Sequence, residues 1–201
     1  MGIGEGKQVV AYDNASGAYA ARLWWLLRYM GHDAVAVLDG GWAAWQAAGF
    51  PVSRGVEVQT AVSFKGEPRT EWLLTADAVP SAPLLVDSRA APRYRGELEP
   101  LDPVAGHIPG AQNYFYQDNW DKNGRYLPAA QLNTQLGVVL GETNAEEAVF
   151  YCGSGVTACV NLLALAHAGL GNGRLYAGSW SDWCSDPTRP IAVGDSHSKF
   201  E

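Results

Sequence analysis

Cys152 sits in the run Tyr151-Cys152-Gly153-Ser154-Gly155-Val156-Thr157, between a short apolar stretch, Ala148 to Tyr151, and a long one, Val156 to His167. That pattern puts the thiol where a buried strand turns into a helix N-terminus. The first N–H groups of a helix have no partner within it and point at any anion placed there. The same field favours a thiolate and can bring a cysteine pKa down to about 3.5–7.5. Gly153 and Gly155 tolerate the backbone angles that turn successive N–H groups toward one point, an anion-binding nest. A thiolate in such a nest can act as a nucleophile and keep an anionic adduct on its sulfur. A solitary cysteine at a strand end is ordinarily packing, but the small-residue loop on the helix side favours the reactive reading. Thr157 stands where a side chain could cap the helix and reach the sulfur. Ser154 also suits a plain turn position.

The elements that must hold this loop occur twice. Val9-Val10-Ala11-Tyr12-Asp13 followed by an apolar helix parallels Ala148-Val149-Phe150-Tyr151-Cys152 followed by another, at an offset of 139 positions. Asp39-Gly40-Gly41-Trp42 and Trp45 parallel Ala177-Gly178-Ser179-Trp180 and Trp183 at an offset of 138. Each copy reads strand, small-residue turn, helix, strand, Gly turn and Trp-x-x-Trp helix, a unit long enough to suggest two domain copies. Ala34 to Leu38 and Arg174 to Tyr176 are the second strands, and Ala18 to Met30 is the first helix. Short apolar strands alternating with apolar helices predict an α/β fold with a parallel sheet covered on both faces.

The second copy has a longer preface: a strand at Leu84 to Asp87, a Gly/Pro turn at His107 to Ala111, and helical spacing at Leu132, Leu136 and Val139. The first copy has no counterpart of that preface, so the chain is expected to begin inside its first unit. The expected organisation is a partial first domain over residues 1–50, a Pro- and Gly-containing linker over 51–68, and a complete second domain over 69–201. Leu23, Trp24, Leu26 and Leu27 should then need cover, from more chain or by self-association with a second copy.

Composition narrows the function. Hydrophobic residues make up 47% of the 201 positions and eight are Trp, ample material for a core. The formal charge of −7 lacks the basic footprint of a nucleic-acid-binding protein. Three cysteines without a CxxC pair predict neither a disulfide framework nor a zinc site. They suit a reducing, cytoplasmic setting, and no apolar run is long enough to predict a membrane span.

The motifs together resemble one family. Cys152 to Ala158 resembles the active-site loop of tandem rhodanese-like sulfurtransferases, in the form typical of 3-mercaptopyruvate sulfurtransferases. Val86-Asp87-Ser88-Arg89 with Arg93-Tyr94-Arg95-Gly96 resembles the opening of their catalytic domain, and Gly106 to Ala111 a rhodanese signature. The Gly-Gly-Trp and Gly-Ser-Trp turns resemble the signature that closes each domain, and Asp13 occupies the cysteine slot of the inactive first domain. The resemblance implies a rhodanese-like fold with a partial inactive first domain and a catalytic second one. It implies catalysis through a Cys152 persulfide, with a small anionic sulfur donor, a thiol, cyanide or carrier-protein acceptor, and no metal or organic cofactor. It assigns substrate binding to Arg93, Gly153, Ser154, Gly155, Val156 and Thr157. Arg93 would hold the donor's anionic group in its guanidinium fork, and Ser154 would polarise the substrate or relay a proton. His107 is expected to be structural.

One stretch departs from the family. Glu97 to Ala105 has no arginine where mercaptopyruvate-type enzymes usually carry a second one; Glu97, Glu99 and Asp102 stand there instead. The loop also lacks the basic residue common in thiosulfate-type enzymes, so both donors stay open. Two other functions compete: an interaction or regulatory module without turnover, and a Cys-based phosphatase. The latter is disfavoured because no Arg closes the loop around a phosphoryl group.

Overall fold

The structure, a computed structural model, describes residues 2–56, 58 and 60–195. Met1, positions 57 and 59 of the expected linker, and residues 196–201 of the expected second domain lie outside it. The chain runs β1 (Val9–Ala11), α1 (Ala18–Tyr29), β2 (Val35–Val37), α2 (Gly41–Ala47), β3 (Leu73–Leu74), β4 (Leu84–Asp87) and α3 (Ala91–Tyr94). It continues through β5 (Gln112–Asn113), α4 (Ala129–Leu140), β6 (Ala148–Tyr151), α5 (Ala158–His167), β7 (Arg174–Tyr176) and α6 (Ser179–Trp183).

Two parallel sheets result. The larger has the order β3-β7-β6-β4-β5, with β6, the strand that delivers Cys152, at its centre. The smaller pairs β1 with β2. The repeat is visible in space: β1-α1-β2-α2 and β6-α5-β7-α6 are the same strand–helix–strand–helix unit. Among the described residues, β1 has one strand neighbour where β6 has two.

Strand side chains alternate between faces, which divides the core in two. Leu84, Val86, Ala148, Phe150 and Cys152 pack with α1, α4 and α5. Leu85, Val149 and Tyr151 face Tyr94, Ile108, Trp180 and Trp183 on the other side. Every residue of β4 and β6 is buried, as a sheet covered on both faces requires. Leu132, Leu136 and Leu140 form the buried stripe of α4. Of the four α1 residues expected to need cover, Trp24 and Leu27 are buried, whereas Leu23 and Leu26 remain exposed. Among the described residues no helix is long and apolar enough to cross a membrane.

Candidate active site

The chain leaves β6 at Tyr151, and in the next six residues the carbonyls of Cys152, Gly153, Gly155, Val156 and Thr157 each have a donor. The Cys152 carbonyl accepts from the Trp180 N–H at 3.0 Å, and that of Gly153 from the Ser181 N–H at 2.9 Å and the Ser181 hydroxyl at 2.8 Å. The Gly155 carbonyl accepts from Arg22 at 3.2 Å and from the Cys159 thiol at 3.4 Å. The Val156 and Thr157 carbonyls accept from the N–H groups of Cys159 and Val160, both at 3.1 Å. In a trans peptide the N–H points opposite to the preceding C=O. Anchoring these carbonyls therefore turns the N–H groups of Gly153, Ser154, Val156 and Thr157 the other way. Among the described residues no protein acceptor takes up the N–H groups of residues 153–157. The loop is an anion cradle of unengaged amides at the mouth of α5.

Gly155 makes this shape possible. Its φ is +75°, and a Cβ there would lie 2.6 Å from the Ala177 carbonyl oxygen, so any side chain would be both strained and obstructed. Ser154 is exposed and Gly153, Val156 and Thr157 are half-exposed, while Cys152 is 2% exposed. The rim of the cradle is open and the thiol lies beneath it. Thr157 is not the helix cap that its position suggests. Thr157 occupies the position before α5 in helical conformation, and its side chain makes no capping hydrogen bond. Capping by a side chain requires extended backbone at that position, and the tight Gly155 turn has already bent the chain into the helix.

The first copy of the repeat shows what this loop type holds. Asp13, in the slot of Cys152, accepts N–H bonds from Ala15 and Gly17 at 2.9 Å and from Ala20 at 3.0 Å. Burial opposes its charge, but these amides hold its carboxyl below the usual carboxylate range. The cradle of the first half is thus filled by the chain's own carboxylate. Asp13→Ala is expected to lower stability by about 1 kcal/mol at pH 7, as loss of a helix cap does. Because the folded-state pKa is depressed, that contribution is present above the ordinary carboxylate pKa and disappears as pH falls through the folded value. Urea unfolding at pH 7 and at pH 3 should therefore show the gap between wild type and variant closing in acid.

A second residue anchors Cys152 from α6. The Cys152 N–H donates to the Ser179 hydroxyl at 3.1 Å, which donates to the Tyr176 carbonyl at 2.9 Å. Ser179 has a φ of 56°, a left-handed conformation in a non-glycine residue, and Gly41 at the same place in the first copy has a φ of 59°. The second copy accepts backbone strain there and gains the hydroxyl that holds the cysteine amide. The sequence signal is the Gly-to-Ser difference between the two closing turns.

Arg93 lies beside the loop, its guanidinium 3.5 Å from the place a Cβ on Gly153 would occupy. It is not a free cation. Glu99 binds it at 2.6 Å and Asp102 at 3.4 Å. Glu99 also binds Arg89 at 3.2 Å, and Arg89 pairs with Asp87 at 2.6 Å, so a chain of charge runs Asp87–Arg89–Glu99–Arg93–Asp102 beside the loop. Burial opposes the charge of Glu99, but Arg93 and the amides of Leu101 and Asp102 hold its carboxyl below the usual range. Glu99 and Asp102 therefore orient and neutralise Arg93, a role that their spacing alone does not reveal. Glu97 stands apart from the site, paired with Arg95 at 2.7 Å. His107 is structural: buried, stacked on Tyr94, its Nδ1 donating to the Tyr94 carbonyl at 2.8 Å. Cys159 lies in the core, where burial pushes its thiol up to about 12.

The chain matches known proteins over most of its length. Residues 1–48 and 71–186 match the family model described as "Rhodanese-like domain". The chain is 50% identical to a "Probable 3-mercaptopyruvate sulfurtransferase" of Pseudomonas aeruginosa, over 96% of this chain and 70% of that protein. It is 32% identical to "Thiosulfate/3-mercaptopyruvate sulfurtransferase 2" of Arabidopsis thaliana, over 98% of this chain and 65% of that protein. Among solved structures, an EanB variant in complex with ergothioneine superposes with a TM-score of 0.84 at 25% identity. That match covers 96% of this chain, which spans about half (52%) of the EanB chain.

Proposed function

This chain belongs to the rhodanese-like family, and on that premise we propose that it is a sulfurtransferase. It takes sulfane sulfur from 3-mercaptopyruvate or thiosulfate onto Cys152 and passes it to a thiol or cyanide. In this reading residues 69–201 form the catalytic unit, residues 51–68 the linker, and residues 1–50 an inactive companion unit. The single observation that carries the proposal is the cradle of unengaged amides around Cys152, whose counterpart in the first half encloses the Asp13 carboxylate.

The chemistry follows from the geometry. With thiosulfate, the Cys152 thiolate attacks the outer sulfur, the S–S bond breaks, and sulfite leaves with its electron pair. With 3-mercaptopyruvate, the same attack breaks the C–S bond. The departing enolate takes up the proton that the transferred sulfur gives up, which yields pyruvate. In this reading Ser154, exposed at the rim, polarises the donor or relays that proton. Either route leaves a Cys152 persulfide whose terminal sulfur is anionic, the species the amides of residues 153–157 suit. Cyanide or a thiolate then attacks the outer sulfur and regenerates the Cys152 thiolate, a two-step covalent cycle.

The test is incubation with each donor, followed by intact-mass measurement and by assay of thiocyanate formed from cyanide. A gain of about 32 Da, the mass of one sulfur, on the Cys152 peptide and turnover with cyanide support the reading. A chain that gains no mass with either donor is a binding module, not an enzyme. Arg93→Met should raise the KM for the preferred donor by roughly 10- to 100-fold with a smaller effect on kcat, since the guanidinium edge that Glu99 leaves open faces Gly153 and would bind the donor's anionic group in ground and transition states alike. Steady-state kinetics with that donor checks this.

A further inference from the structure

We propose that Arg22, from the first half of the chain, is a positioning residue of the Cys152 site: it fixes the Gly155 carbonyl and supplies the unneutralised positive charge that keeps sulfur on Cys152 anionic. This rests on the sulfurtransferase reading for its function, though not for its geometry.

Arg22 projects from α1, and its guanidinium donates to the Gly155 carbonyl at 3.2 Å and lies 3.8 Å from the Cys159 sulfur. Its carbon centre stacks 5.1 Å from the Trp25 ring. Trp25 is buried, so the arm is held against a fixed wall. The Gly155 carbonyl thus has two donors, one from each half of the chain, because the Cys159 thiol also binds it. Cys159, protonated because burial raises its pKa, can act as that second donor without competing with Cys152 for the positive charge. Pulling the Gly155 carbonyl toward α1 aims the Val156 N–H away from α1 and into the cradle.

Charge makes the argument specific. Facing the loop from α3 and the following segment are Arg93, Glu99 and Asp102, and beyond them the Asp87–Arg89 pair. These three carboxylates and two guanidiniums carry a net charge of −1, which opposes a thiolate. From α5 the titratable neighbour is the neutral Cys159. Among the described residues no carboxylate pairs with Arg22, so it is the cation in contact with the loop whose charge is not cancelled.

The experiment measures the pH midpoint of Cys152 alkylation by iodoacetamide, read on its own peptide, together with kcat and KM for sulfur transfer to cyanide. The proteins are wild type, Arg22→Met, Arg22→Lys and Arg22→Gln. The expected result is a midpoint raised by about one pH unit in Arg22→Met and Arg22→Gln, with kcat lowered roughly tenfold, and most of the wild-type midpoint retained in Arg22→Lys. Arg22→Gln gives the charge test if the methionine variant does not fold. An unchanged midpoint in a folded neutral variant, or an equal shift in Arg22→Lys, overturns the proposal. If the midpoint moves as expected but wild type carries no sulfur from either donor, the sulfurtransferase reading fails and the role of Arg22 toward the thiolate stands.

Discussion

Cys152→Ser is expected to lower sulfur transfer by at least about a thousandfold while leaving the fold intact. The loss follows from chemistry, since a serine hydroxyl near neutral pH is neither ionised nor able to hold a sulfur atom as a displaceable persulfide. The fold should survive because Cys152 is positioned through its backbone: its N–H bonds to Ser179 and its carbonyl accepts from Trp180, and both bonds are independent of the side chain. Serine is also close to cysteine in size, so the packing around this buried position changes little. Intact-mass measurement after incubation with donor should show no added sulfur, with a thermal midpoint within a few degrees of wild type. Residual transfer above about one per cent of the wild-type rate would mean that another thiol carries the sulfur. Cys159 and Cys184 are the other cysteines in the chain, both buried and both with thiol pKa values raised by that burial.

Arg89→Met should have the largest effect on stability, about 3–5 kcal/mol, the range seen when one partner of a buried ion pair is removed. Arg89 and Asp87 are both buried, and the guanidinium reaches Asp87 at 2.6 Å, Glu99 at 3.2 Å and the Gly106 carbonyl at 2.7 Å while lying over the Trp180 ring. Burial works against its charge, but the carboxylates of Asp87 and Glu99 more than compensate and keep it firmly protonated. Methionine fills part of the volume but leaves Asp87 without a counter-charge in a site closed to water. Glu99 would retain Arg93, so the damage should centre on Asp87. Urea unfolding of Arg89→Met, Asp87→Asn and the double variant tests this. A coupling of at least about 1 kcal/mol is expected, because the second substitution removes the orphaned charge that the first creates. Strictly additive effects would show that the pair acts independently. Activity should fall as well, since Glu99, which orients Arg93, loses its second anchor.

The site was partly legible in the sequence because part of it is local. A strand, a cysteine, two glycines and an apolar helix follow one another without a break. The strand's burial and the loop's permissive residues are properties of neighbours in the chain. The same holds for β4, β6 and, in α4, Leu132 and Leu136, although Leu140 rather than the expected Val139 completes the buried stripe. The repeat alone aligns Asp13 with Cys152.

Local pattern alone picks out the candidate nucleophile, its loop, and the strand–helix units that carry it. The electrostatics arise only once the chain is folded. Arg22 reaches Gly155 across 133 positions and Ser179 holds Cys152 across 27, and no local pattern encodes such contacts. The acids between Glu97 and Asp102 looked like a defect in anion recognition, whereas in space Glu99 and Asp102 close on Arg93 and set its direction. Thr157 looked like a cap, and the turn at Gly155 removed the backbone conformation a capping side chain needs. Charge acts through distance and burial, and both arise only when β4, β6, α1 and α6 converge on one loop.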